Sequence, residues 1–167
     1  GFVFSSIGGS MVAGGGDSAA PVRPGEVAGW TLVGDRYFAT MGTRLLEGRD
    51  FGPGDSAGST SVAVVSRTLA LRLWPGQPAL GRVLRFGSLT GPAVTVIGVA
   101  ADAKYRQIAE APRAYLYLPL SQEDARSVTF VIRTSGDPRA LAPAARAALA
   151  TIDPDLPIAD LKTMDAL

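Results

Sequence analysis

The chain has 167 residues, 47% of them apolar, enough to bury the core of one domain or of two small lobes sharing a boundary. Sixteen basic and fifteen acidic residues leave a formal charge of +1, which argues against a groove built to neutralise many phosphates. There is no Cys and no His, so thiolate and imidazole metal sites, Cys nucleophiles and His-assisted Ser triads are excluded, while the compartment stays open.

The chain starts at Gly1 without an initiator Met, a basic n-region or an h-region, and reads as a piece of a longer protein. No run of 18 apolar residues occurs, so no membrane-spanning helix is expected within it. Residues 1–29 are rich in Gly, Ser, Pro and Ala, and GGGD at Gly14 to Asp17 reads as a flexible loop. A phosphate cradle there would need a strand before it, a helix after it and usually a Lys, and VRPGEVAG follows instead.

WTLV from Trp30 is a short strand. Asp35 is placed to cap the helix RYFATM, with Gly42 as its left-handed C-cap. TRLLEGRDF reads as extended chain and GPGDSAGS as a loop. SVAVV (61–65) is a strand that delivers Ser66 to the N-cap of a helix, with Leu69/Leu73 and Ala70/Trp74 on one apolar face. Pro75-Gly76 ends that helix. GRVLRFG (81–87) and AVTVIGVA (93–100) are strands, the second apolar enough to be covered on both faces. ADAKYRQIAEAPR is an irregular or helical crossing, and AYLYLPL (114–120) a further strand.

The stretch from Ser66 to Gly87 interleaves Arg67, Arg72, Arg82 and Arg85 with Leu, Trp and Phe, the composition of a nucleic-acid or lipid-facing surface. The near-zero total charge favours a scaffold instead. Trp74 is expected to pack, Arg67 and Arg72 to be solvated, and Arg82 and Arg85 to find acidic neighbours at Asp50, Asp55 or Asp102.

SVTFVIRT (127–134) alternates as a strand. Asp137 is an N-cap with Pro138 at N1, and the helix that follows is expected to bury Leu141, Ala145, Ala148, Leu149 and Ile152. Pro143 removes a hydrogen bond to the Arg139 carbonyl and is expected to bend the first turns. LPIADL is a strand, so 127–134 and 157–162 are expected to lie parallel about a right-handed crossover. Thr163 caps the start of another helix.

Three blocks and a tail carry a family likeness. They are GWTLVGDRYFATMGTRLLEGRDF (29–51), VAVVSRTLALRLWPGQPALGRVLRFG (62–87), VIGVAADAKYRQIAEAPRAYLYLPLSQ (96–122), and the tail from Thr129 to Leu167. Together they resemble the MacB-like periplasmic core domain, which sits between the first two transmembrane helices of FtsX-like ABC-transporter permeases. The resemblance implies a two-lobed α+β fold: a porter-like lobe from 1–34 and 122–167, and an inserted mixed α/β lobe from 35–121. It also implies that a strand and helix of the porter-like lobe lie upstream of Gly1. The implied setting is the periplasmic, or more generally extracytoplasmic, face of a bacterial inner membrane. The implied partners are a second permease copy, an ABC ATPase domain or subunit reached through the membrane part, and in some relatives a periplasmic adaptor; no nucleic acid is implied.

Chemistry weighed on the residues alone leaves no catalytic, cofactor-binding or metal-binding candidates. Glu47/Asp50, Glu123/Asp124 and Asp153/Asp155 are close in sequence, but proximity along the chain does not place two carboxylates across a substrate. No DxDxDG rhythm, GxSxG elbow or GxxxxGK[ST] loop occurs. The rival to a non-catalytic permease domain is a stand-alone ligand-binding or sensor module, with Tyr105, Tyr115, Tyr117 and Trp74 lining a pocket between lobes.

Overall fold

The computed structural model describes residues 2–16, 26–88, 90–102, 113–123, 125, 128–155 and 163. The chain divides into two compact units, Gly1–Ile132 and Arg133–Leu167. It is a mixed α/β structure, as the resemblance implied.

The first unit is one mixed sheet of eight strands: β1 (Phe2–Gly16), β2 (Glu26–Val33), β3 (Leu45–Gly48), β4 (Val62–Ser66), β5 (Val83–Arg85), β6 (Ala93–Ala100), β7 (Tyr115–Pro119) and β8 (Thr129–Ile132). The order is β2-β7-β4-β6-β5-β1-β8, and β1 also pairs back with β2, so the hydrogen-bonded order closes on itself. β2 runs parallel to β7 and β4 parallel to β6; the remaining pairs are antiparallel. β2 and β8 flank β1 on either side of Ser5, which puts the strand from Trp30 and the one from Phe130 in one sheet.

The glycine-rich opening corrects the expectation of a loop. Gly14, Gly15 and Gly16 lie in β1 opposite Arg85, Leu84 and Val83, and Asp17 falls outside the described residues. Such a segment has no side-chain alternation to read. What orders it is backbone pairing with strands from far along the chain.

Side chains alternate between two cores on the opposite faces of the sheet. Ala63 and Val65 of β4, Leu116 and Leu118 of β7, Leu32 of β2 and Leu84 of β5 meet Leu69, Leu73 and Trp74. Val62, Val64, Val33 and Tyr117 meet Tyr37, Phe38 and Phe51. This double cover is why β4 is buried at every position and why AVTVIGVA and the Tyr-Leu alternation of β7 show no wet face over most of their length. Gly98 interrupts the apolar run of β6 for a reason: a Cβ there would stand 2.7 Å from the carbonyl of Arg49, just past the end of β3, the antiparallel neighbour of β6.

Two short helices cover these faces. α1 (Tyr37–Met41) ends at Gly42 with φ 71°, as expected, but Asp35 does not cap it. Arg36 is the N-cap, itself left-handed at φ 63°, and the Tyr37 N–H closes a turn on the Gly34 carbonyl, so the first turn is satisfied by backbone alone. α2 (Arg67–Leu73) is capped by Ser66, and Trp74 is its last residue before Pro75-Gly76. Seven residues are too few to hold a helix in water, so its apolar face against the sheet supplies the stability.

In the second unit Asp137 Oδ1 accepts the Arg139 N–H at 2.9 Å, and Pro138–Leu141 form a 3-10 turn leading into α3 (Ala142–Ile152). Pro143 is thereby a first-turn residue whose missing N–H costs no helical bond; the bend expected of a single longer helix is replaced by this junction. The expected burial of the stripe is also corrected. Leu141, Ala145 and Leu149 are half-buried, Ala148 is exposed, and Ile152 is 79% exposed. Residues 103–112, 156–162 and the chain beyond Thr163 lie outside the described set. With them go the crossing, the LPIADL strand with its parallel pairing, and the final helix.

Candidate functional site

β4 and β6 end together at Ser66 and Ala100, and β7 begins beside them. Ser66 is buried there, and its Oγ accepts the N–H groups of Leu69 at 3.2 Å and Tyr115 at 3.0 Å while donating to the Arg113 carbonyl at 3.3 Å. Asp102 accepts the backbone N–H and the hydroxyl of Thr68 at 2.9 and 3.0 Å. The two side chains tie the start of α2 to the end of β6 and the start of β7. A serine with its proton on a carbonyl and its lone pairs on two amides lacks the adjacent base of an activated nucleophile. Sequence reasoning found Ser66 as a cap but offered Asp102 only as a neighbour for Arg82 or Arg85; its partner Thr68 lies 34 residues away and leaves no local signal.

A second polar cluster holds the opposite end of the sheet. Asp55 is buried and takes both guanidinium nitrogens of Arg49, at 2.6 and 2.8 Å, and the Gly52 N–H at 2.9 Å. The Arg49 hydrogen bonds hold its carboxyl below the usual range despite burial. Asp50 moves the other way. Burial raises its pKa, partly offset by the Phe51 N–H it accepts, with nearby Asp35 adding to the rise. Ser121 donates to the Asp55 carbonyl. Gln122 uses its whole amide, donating to Ser59 Oγ and the Thr60 carbonyl and accepting from the Val62 N–H.

Beside this cluster lies a cleft of about 50 Å³, walled by Phe86, Pro92, Val94, Leu118 and Pro119, with exposed Ser61 and Glu123 among its lining residues. Its volume is far below the several hundred Å³ of a drug-sized ligand site.

The aromatic residues do not form the pocket suggested by the rival reading. Tyr117 is buried among Tyr37, Phe38 and Tyr115 on one face of the sheet, at centroid distances of 4.9–5.8 Å, while Trp74 belongs to the core on the other face. The strands that alternate inward and outward residues keep them apart, and Tyr105 is outside the described residues. Trp74 is 4% exposed, and its indole N–H is buried without an acceptor among the described residues.

The arginines of the 66–87 stretch also differ from expectation. Arg67 and Arg72 are exposed as anticipated. Arg82, however, donates to the Pro78 carbonyl and Gln77, and Arg85 to the Gly91 carbonyl, while Asp55 and Asp102 serve Arg49 and Thr68. Carbonyls freed by neighbouring turns are nearer than the carboxylates.

Among the described residues, no three His, Cys, Asp or Glu side chains gather to hold a metal ion. Glu47 is exposed on β3, Glu123 is exposed, and Asp153 accepts the Asp155 N–H at 3.0 Å in the turn after α3; Asp124 is not described. Among the same residues, no helix is long and apolar enough to cross a membrane.

Comparison with curated protein sequences finds no match. Among solved structures, the chain is similar to the periplasmic region of MacB from Actinobacillus actinomycetemcomitans, with a TM-score of 0.66 and 19% identity. That match covers 90% of this chain and 66% of the MacB region, so the chain spans just under two thirds of its length. The extracellular domain of the noncanonic ABC-type transporter YknZ from Gram-positive bacteria matches with a TM-score of 0.59 and 18% identity, over 90% of this chain and 74% of that one. At such identities the likeness establishes the fold. The family model for the MacB-like periplasmic core domain matches residues 4–152, nearly all of the chain, and the chain belongs to that family.

Proposed function

We propose that this chain is the extracytoplasmic domain of an ABC-transporter permease subunit, non-catalytic, and that it couples movement of membrane helices to export or to partner engagement. The observation that carries the reading is the family match over residues 4–152. The polar side chains support it, since the buried Ser66 and Asp55 are spent on internal ties.

In this reading 1–34 and 122–167 make a porter-like lobe and 35–121 an inserted lobe. The domain works on the periplasmic face beside a second permease copy, an ABC ATPase binds and hydrolyses ATP on the other side, and an adaptor joins in some systems. The test locks two copies of the domain, or the two lobes, with an engineered disulfide in the full permease, where this region has no native Cys to interfere. Transport and ATPase activity are then measured with and without reductant. Transport that is lost on cross-linking and restored by reductant is the expected result. Unchanged transport under a verified cross-link overturns the coupling role.

A further inference from the structure

We draw no further inference here: the strongest candidate, the apolar stripe along α3 that ends at the exposed Ile152, carries nothing because nothing among the described residues shows what covers it.

Discussion

α2 and α3 carry the same kind of apolar spacing in sequence and end in opposite circumstances. Leu69, Leu73 and Trp74 of the shorter helix and its cap are buried, whereas α3 is longer and has no buried residue at all. Periodicity reports which face of a helix is apolar. It does not report whether a surface exists to receive that face. α2 has one because β4 feeds directly into it through Ser66 and the sheet beneath is already apolar. α3 is reached through a polar turn capped by Asp137, and two of the five residues of its stripe, Ala145 and Ala148, are alanine, which offers little area to bury.

The contrast predicts the largest difference at the two helix ends. Trp74→Ala should cost about 3–5 kcal/mol by urea unfolding, as expected for a buried large side chain. Ile152→Ala should stay within about 0.5 kcal/mol. Similar values for both would erase the distinction.

Ser66→Ala comes next, at about 2–3 kcal/mol, because it removes a cap and strands the Tyr115 N–H as well. Asp137→Ala removes a cap of the same type in a solvated setting and should cost about 0.5–1 kcal/mol, read from the same unfolding curves.

A third contrast is in acid. The Asp55 carboxyl is held below its unfolded value, so its stabilisation is complete above the ordinary aspartate range and is lost as pH falls through the lowered folded value. Asp50 has the opposite sign, since a carboxyl raised by burial favours the folded state more as it becomes protonated. Asp55→Asn should therefore flatten the acid limb of stability against pH, and Asp50→Asn should steepen it. The smallest effect is expected at Asp35→Ala, which should leave stability within about 0.5 kcal/mol if Arg36 and the Gly34 turn start α1. A loss of a full cap's worth would restore Asp35 to that role.

The legible part of this fold was local. β4, Ser66, α2 and the Pro75-Gly76 stop could be read in one run because strand, cap, apolar face and terminator follow within sixteen residues, 61–76. Gly42 and Asp137 were legible for the same reason. What escaped reading was supplied from a distance. Beyond its pairing with β2, β1 is completed by partners at 83–85 and 129–132, Asp102 reaches back to Thr68, and Arg82 and Arg85 donate to groups that only the folded turns bring near. The cleft had no signature either, since Phe86, Val94, Leu118 and Glu123 come from three separate parts of the chain.

The pairing of β1 has a consequence for the order in which the protein can be built. Its first residues, Phe2 to Ser5, are matched by Ile132 to Thr129, so the first of the described strands awaits the last. During synthesis or passage through a membrane, that stretch keeps an open backbone edge while more than a hundred residues are still to arrive. Contacts so far apart in sequence also close slowly. A holdase that covers the opening strand, or a polar companion chain that shields it, would then govern yield more than any core residue does.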